Sequence, residues 1–159
     1  MKALATKTGR QLKRAKAMLV TAESCTGGWV AQAITSVAGS SAWFERGFVT
    51  YSNAAKQQML GVSRKTLSKH GAVSEETARE MATCALVRGR GTIALAVTGI
   101  AGPGGGSAAK PVGTVCFAWV KTGARVRSET RRFRGGREAV RRQSVVRALE
   151  GVLELLEGA

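Results

Sequence analysis

Short apolar runs separated by polar, glycine-containing turns organise the first part of the chain. Residues 7–16 are basic and typical of the end of an amphipathic helix, whereas the apolar residues 18–22 favour a buried strand. A glycine turn at residues 23–28 follows, and residues 29–37 have a helical pattern. Strand, tight turn and helix in this order form the unit from which α/β proteins are built.

A second strand and helix follow in the same order. Residues 47–51 alternate as a strand does, and Ser52 and Asn53 are good N-cap residues for a helix over residues 54–60. Gly61 is placed to end that helix, because glycine adopts the left-handed conformation common at helix C-termini.

The second half of the chain contains the most apolar strand. Residues 92–98 are continuously apolar, as in a strand covered on both faces, and residues 112–120 predict a further strand. Residues 126–133 carry enough charge to favour an edge strand. Ser74 is expected to cap an earlier helix, and the last helix, about residues 136–157, has its apolar positions on one stripe. This order predicts a three-layer α/β/α sandwich with a mostly parallel or mixed central sheet.

Length and composition predict one soluble domain over residues 1–159. No apolar run approaches the roughly 20 residues that span a bilayer, and the run at residues 17–20 is too short for a signal-peptide core. We therefore expect a cytoplasmic protein with no membrane partner. The three cysteines (Cys25, Cys84 and Cys116) are widely spaced, form no zinc pattern and are expected to be reduced. No cofactor or metal is expected.

The net charge of +15 at pH 7 favours anionic partners. A basic surface attracts nucleic acid, anionic membrane or a phosphorylated small molecule, and charge alone does not choose between them or exclude a merely solvated surface. The charge is densest at residues 125–147, where Phe133 is the only aromatic residue. A platform for stacking bases is therefore poorly supported.

A serine and a lysine are the strongest candidates for catalysis. The single histidine, His70, falls in a polar segment that we expect to be a loop, so a Ser-His-Asp centre is disfavoured. Ser41 precedes Lys56 by fifteen positions, with Tyr51 between them. A lysine kept neutral by desolvation or by a neighbouring cation can activate a serine. The alternatives are a serine that caps a helix and a lysine that is solvated.

Two glycine-rich segments are candidate binding sites. Ser24, Thr26 and Gly27 lie where a strand turns into a helix, and backbone N–H groups at a helix N-terminus bind anions, although a tight connection explains the turn equally well. Thr98 and Gly99 end the most apolar strand, and ligands of open α/β sheets bind outside the carboxyl ends of strands.

Arg137 lies in the first turn of the last helix. The helix dipole disfavours a cation there unless an anion neutralises it. Arg137 is therefore a candidate for binding a phosphate or carboxylate, with an ordinary surface arginine as the alternative.

Seven ordered motifs together resemble one family, the competence/damage-inducible CinA C-terminal domain family. They extend over about residues 12–150 and are AESCTGG (22–28), GSSAWFERGFVTYSNAAK (39–56), LGV (60–62), HGAVS (70–74), TGIAGPGGG (98–106), KPVGTV (110–115) and FRGGREAVRR (133–142). Stand-alone bacterial members of this family are nicotinamide-nucleotide amidohydrolases, which convert nicotinamide mononucleotide (NMN) and water to nicotinate mononucleotide and ammonia.

The resemblance implies a Ser/Lys mechanism for this chain. By motif, the nucleophile is Ser41 and the base is Lys56, with Tyr51 close by. Further active-site or substrate-binding positions match Ser24, Thr98 and Arg137. The resemblance also implies an α/β/α fold, self-association and no metal.

Two departures from the family pattern bear on these implications. The family often has an aspartate where this chain has Gly136, which removes a carboxylate near Arg137, and the charge is higher than expected. A basic nucleic-acid-binding accessory protein without activity therefore stays an alternative, though not the favoured one. An amidohydrolase acting on another amide is a third hypothesis.

Overall fold

A computed structural model describes residues 1–158 and contains one five-stranded sheet with helices on both faces. The strands are β1 (Leu19–Glu23), β2 (Phe44–Val49), β3 (Ile93–Gly99), β4 (Thr114–Lys121) and β5 (Arg127–Arg132). The helices are α1 (Lys2–Arg14), α2 (Trp29–Thr35), α3 (Asn53–Ala55), α4 (Arg64–His70), α5 (Glu75–Arg88) and α6 (Arg137–Glu157). A 3₁₀ turn, Ser40–Ala42, precedes β2, and α3 continues into a π-helical turn, Lys56–Leu60.

The sheet is mixed, with the strand order β2-β1-β3-β4-β5. Strands β2, β1 and β3 are parallel, and β4 and β5 are antiparallel to their neighbours. The carboxyl ends of the three parallel strands therefore lie along one edge of the sheet. In the sheet, β2 lies on one side of β1 and β3 lies on the other. The connections after β1 and β2 therefore run in opposite directions, which opens a crevice at the carboxyl edge.

Two hydrophobic cores cover the two faces of the sheet. Alternate residues of β3 divide between them: Ile93 and Leu95 join the core beneath α1, α2 and α6, whereas Ala94 and Ala96 join the core beneath α4 and α5. Alternation at every second residue is the pattern of a strand buried on both sides. The predicted three-layer α/β/α sandwich is thereby confirmed.

The predicted helix caps form as the sequence indicates. The Ser74 hydroxyl accepts a hydrogen bond from the Thr77 amide at 3.1 Å, and the Ser52 hydroxyl accepts one from the Ala55 amide at 3.0 Å. Gly61 ends the helical segment with φ at 84°. The predicted helix over residues 54–60, however, is a short α-helix followed by a π-helical turn.

Helix α4 also differs from the sequence prediction. His70 is the last residue of α4 rather than part of a loop. The segment buries only Leu67, so it has no apolar period by which the helix could be recognised. Its N-terminus is nevertheless capped by the Ser63 hydroxyl, which accepts from the Lys65 and Thr66 amides.

Helix α6 fits closely against the sheet through a glycine. Trp119 of β4 is 1% exposed, and its indole N–H donates to the Ala148 carbonyl at 2.9 Å. A Cβ at Gly151 would overlap the Trp119 ring, so only glycine fits at this point of the helix. No helix among residues 1–158, α6 included, is long and apolar enough to cross a membrane.

We predict that Gly151→Ala destabilises the protein by about 2 kcal/mol. Alanine normally stabilises a helix by about 1 kcal/mol relative to glycine, but overpacking a core costs about 1–3 kcal/mol or more, and the rigid indole has nowhere to move. Urea denaturation measures the difference. Gly136→Ala is the control, because a Cβ there meets nothing within 4 Å. Equal stability of the two variants would contradict the prediction.

Candidate active site

A cavity of about 270 Å³ opens at the carboxyl edge of β1, β2 and β3. It brings together side chains and backbone from the ends of all three parallel strands, as expected for the crevice of an open α/β sheet. The cavity is lined by Ser24, Cys25, Tyr51, Asn53, Lys56, Ala72, Val73, Thr98, Gly99, Ile100, Ala101, Gly102, Gly104, Gly105 and Arg137.

Lys56 reaches into this cavity from the start of the π-helical turn. Its side chain is 1% exposed, and its amine donates to the Ser24 hydroxyl and to the Thr50 carbonyl, both at 3.0 Å. The Thr50 amide in turn donates to the Glu23 carbonyl at 2.9 Å. The pairing of the ends of β1 and β2 therefore sets the distance between the amine and the serine.

Burial lowers the pKa of Lys56 below its ordinary value, while the neighbouring Cys25 thiol has a smaller and opposite effect. The two oxygen atoms at hydrogen-bond distance from the amine belong to a hydroxyl and a carbonyl, and neither carries a formal charge that would favour the ammonium form. Lys56 is therefore suited to accept a proton from Ser24.

The turn that carries Ser24 is held on both sides. The Ser24 amide donates to the Val97 carbonyl of β3 at 2.9 Å, and the Gly27 amide donates to the Ser24 carbonyl at 3.0 Å. The Glu23 carboxylate is 1% exposed and accepts from the Thr26 hydroxyl at 2.7 Å. It also accepts from the backbone amides of Val30 and Ala31 at the start of α2.

Thr26 and Gly27 lie in the turn between β1 and α2, but neither lines the cavity. The Val30 and Ala31 amides at the N-terminus of α2 already bind the Glu23 carboxylate, so these two amides are not available to a substrate anion. Thr26 is fully buried with its hydroxyl on the same carboxylate, and Gly27 faces a separate shallow depression beside Arg141. The Thr26 hydroxyl is therefore not directed at the cavity, and both residues shape the turn. Binding of substrate by the backbone of Thr26 or Gly27 stays a prediction.

Ser41 is not brought to Lys56 within one chain. It is exposed on the 3₁₀ turn before β2, whereas Lys56 follows the other end of that strand. Strand β2 has six residues and so extends about 20 Å. The serine in contact with Lys56 is Ser24. Within one chain Ser41 is not paired with Lys56, and its role as the nucleophile stays a prediction.

Tyr51 and Arg137 meet at the rim of the cavity. The Arg137 guanidinium donates to the Tyr51 hydroxyl at 3.1 Å and to the Gly102 carbonyl at 2.8 Å. Tyr51 is 60% exposed, and Arg137 is exposed as well. Further N–H groups of Arg137 remain to bind an anion at the mouth of the cavity.

Thr98 and Gly99 line the cavity but have structural roles as well. The Thr98 hydroxyl donates to the Ala72 carbonyl at 2.9 Å and so fixes the loop before α5. A Cβ at Gly99 would approach the Val115 side chain and the Thr114 carbonyl of β4 to within 2.9 Å. Packing against β4 therefore suffices to explain the glycine.

The other nucleophilic and basic groups near the cavity do not compete with Ser24 and Lys56. Burial raises the pKa of the Cys25 thiol to about 12, which keeps it protonated. His70 lines a different groove and lies 3.8 Å from Glu76. No group of three or more histidine, cysteine or acidic residues within residues 1–158 is arranged to hold a metal ion.

Sequence reasoning missed two residues that support the site, Glu23 and Arg141. A glutamate at the end of an apolar strand is unexpected in a core, and this was the available signal for Glu23. Arg141 follows Arg137 by one helical turn and donates to the carbonyls of Cys25 and Thr26. The i, i+4 spacing of the two arginines was the signal for Arg141, because it places both on one face of α6.

The high positive charge is prominent on α1. This helix contains five lysines and arginines and no acidic residue. Its apolar side is buried against α2 and α6, which leaves the cations on the exposed side. Binding of nucleic acid by this surface stays a prediction.

Comparison with known proteins gives consistent matches. The CinA C-terminal domain family matches residues 1–156. The chain is 56% identical to the nicotinamide-nucleotide amidohydrolase PncC of Pseudomonas putida, with 96% of this chain and 94% of that protein covered. It is 58% identical to PncC of Escherichia coli K12, with 92% and 89% covered. A solved structure, the competence/damage inducible protein CihA of Agrobacterium tumefaciens, has a TM-score of 0.94 at 49% identity, with 97% and 94% covered.

We predict that Lys56 makes the stability of the protein rise with pH. Because burial lowers the pKa of Lys56 in the folded state, the unfolded state binds more protons between that pKa and the ordinary value of 10.5. The free energy of unfolding then increases with pH in this window. Lys56→Met lacks this increase, so its stability relative to wild type is greatest at the acid end and declines towards pH 10.

Urea denaturation at several pH values between about 6 and 10 measures this difference. Lys65→Met is the matched control, because Lys65 is an exposed lysine outside the cavity. A stability difference between wild type and Lys56→Met that is constant over this range would refute a lowered pKa for Lys56.

Proposed function

The chain belongs to the CinA C-terminal domain family, and from this premise we propose that it is a nicotinamide-nucleotide amidohydrolase. It hydrolyses the carboxamide of NMN to give nicotinate mononucleotide and ammonia. The observation that carries the proposal is the buried contact between Lys56 and Ser24, in a chain more than half identical to proteins named for this activity. A buried lysine beside a serine is a known means of generating a nucleophile without histidine.

Ser24 is the proposed nucleophile and Lys56 the proposed base. The neutral amine of Lys56 takes the proton of the Ser24 hydroxyl as its oxygen attacks the carboxamide carbon. The resulting tetrahedral intermediate expels ammonia, with the proton supplied by Lys56, and leaves an ester of Ser24. Water, deprotonated by Lys56, then attacks the ester, and the carboxylate product and the serine hydroxyl are released.

Backbone amides of the serine turn support stabilisation of the oxyanion. The N–H groups of Cys25 and Thr26 donate to no oxygen acceptor among residues 1–158. The amide that follows a nucleophilic serine is the usual oxyanion donor in turns between a strand and a helix. Each such donor contributes about 3–4 kcal/mol to transition-state stabilisation.

The phosphate of NMN is assigned to the rim of the cavity. Arg137 is exposed there, is held by Tyr51 and Gly102, and keeps donors free for a phosphate oxygen. The glycine-rich segment 102–106 allows close approach of a ligand to the backbone. In this arrangement Tyr51 orients Arg137 rather than acting on the reacting carbonyl.

The domain organisation, the cellular location and the oligomeric state are further parts of the proposal. One amidohydrolase domain spanning residues 1–159 is supported by the two cores that share one sheet. A cytoplasmic location is supported by three free cysteines. Self-association stays a prediction, and hydrolysis of a different amide stays the alternative function.

We predict that Ser24→Ala lowers kcat for NMN deamidation by at least about 1,000-fold, as expected for loss of a nucleophile. Ser41→Ala should keep kcat within about 2-fold of wild type, because Ser41 is exposed at the opposite edge of the sheet. Ammonia release from NMN by the purified proteins measures both, and Lys56→Met should match Ser24→Ala.

The reverse result would decide against this mechanism. If Ser41→Ala were inactive and Ser24→Ala active, Ser41 would act as nucleophile from a second copy of the chain. If neither wild type nor variants released ammonia from NMN while remaining folded, the substrate would be wrong.

We predict that Arg137→Met raises KM for NMN by about 10-fold or more and leaves KM for nicotinamide riboside within about 2-fold. The loss of one charge-assisted contact to phosphate costs about 1.5–3 kcal/mol, and the riboside has no phosphate to lose. Initial rates of ammonia release with both substrates measure the difference. Arg134→Met, which removes an exposed cation near the start of α6, is the control. An equal change in KM for the two substrates would show that Arg137 does not bind the phosphate.

A further inference from the structure

Arg141 contacts the turn that carries the proposed nucleophile. Its Nε and one terminal nitrogen donate to the carbonyls of Cys25 and Thr26, both at 3.1 Å. The guanidinium also lies over the ring of Trp29, 5.3 Å from its centroid. Two directed hydrogen bonds and a ring face leave the planar group little freedom.

One of these bonds supplies the hydrogen-bond donor for the Cys25 carbonyl. The Thr26 carbonyl also accepts from the Trp29 amide, but the Cys25 carbonyl has no other donor among residues 1–158. Without Arg141, the peptide between Cys25 and Thr26 would be fixed only through its neighbours. Within residues 1–158, Arg141 is thus the donor that holds the carbonyl of this peptide directly.

The orientation of that peptide determines the direction in which the Thr26 N–H points. In a trans peptide the C=O and N–H groups point in opposite directions, so a carbonyl held by Arg141 directs the Thr26 N–H away from α6. Like the amides of Cys25 and Gly28, this N–H donates to no oxygen acceptor among residues 1–158. The same turn also sets where the Ser24 hydroxyl meets the Lys56 amine.

We propose that Arg141 is a positioning residue that holds the Ser24 turn in its reactive geometry. The proposal rests on the proposed function for its effect on rate, but the clamp itself is independent of the substrate. Arg141 borders a shallow depression with Trp29 and Gln32 and does not line the catalytic cavity. It therefore acts through the turn and not on the substrate.

Arg142 provides a matched control on the same helix. Its guanidinium lies 5.9 Å from the centroid of the same Trp29 ring, but it pairs with Glu138 at 2.6 Å and has no bond to the turn. Arg141→Met and Arg142→Met remove the same charge from adjacent positions. A difference between them therefore reports the bonds to Cys25 and Thr26.

The first measurement is amide hydrogen exchange of the peptide that covers residues 24–28. Arg141→Met should exchange at least about 5-fold faster there than wild type, whereas Arg142→Met should match wild type. Equal exchange of the turn in all three proteins overturns the proposal, whatever the substrate proves to be. Faster exchange spread over the whole chain also overturns it, because the defect would then be global.

The second measurement is NMN turnover. Arg141→Met should lower kcat by about 30- to 100-fold with KM within about 2-fold, since a misplacement of about 1 Å costs about 100-fold in rate. Guanidinium ion at about 20 mM should restore part of kcat in Arg141→Ala and have no effect on Arg142→Ala. A raised KM with unchanged kcat would make Arg141 a substrate-binding residue and overturn the proposal.

The positioning role of Arg141 can also be tested if NMN is not the substrate. If wild type does not hydrolyse NMN, the rate at which a fluorophosphonate labels Ser24 replaces turnover. Slower labelling in Arg141→Met than in Arg142→Met then supports the positioning role. Equal labelling rates, or no labelling of Ser24 in wild type, overturn it.

Discussion

The buried amine of Lys56 is the constraint on which the rest of the site depends. An ammonium group is costly to remove from water, and Lys56 is 1% exposed with uncharged oxygens as its partners. Those oxygens come from two neighbouring strand ends, because the Ser24 hydroxyl follows β1 and the Thr50 carbonyl follows β2. A bond from the Thr50 amide to the Glu23 carbonyl fixes the two ends together. The basicity of Lys56 is therefore a product of strand pairing, and the residues adjacent to Lys56 in sequence do not determine it.

Helix α6 connects the stability of the fold to the geometry of the site. Its central part covers one core and accommodates Trp119 at Gly151, which sets how closely the helix approaches the sheet. Its first turns carry Arg137 and Arg141, which bind the glycine-rich loop and the serine turn respectively. A shift of the helix would therefore move both arginines together. The packing of α6 against Trp119 and the orientation of Arg137 and Arg141 at the cavity therefore depend on each other.

Much of the fold follows from the sequence, because buried strands and capped helices leave local signals. The location of the site at the carboxyl edge also follows, since parallel strands bring their ends together. Which serine contacts Lys56 does not follow: Ser41 is nearer to Lys56 in sequence than Ser24, but one strand length separates Ser41 from Lys56 in space. The orientation of the Thr26 side chain does not follow either, since the sequence does not reveal that its hydroxyl donates to the buried Glu23 carboxylate. Helix α4 was missed because it buries a single leucine.

The residue after the proposed nucleophile, Cys25, has a consequence for the durability of the protein. A thiol is intrinsically the better nucleophile, but only as the thiolate, and burial holds the pKa of Cys25 at about 12. Peroxide and electrophiles react with thiolates, so they react slowly with the protonated Cys25 thiol. The cavity beside Lys56 thus contains a sulfur atom that is far less reactive towards oxidants than a thiolate would be.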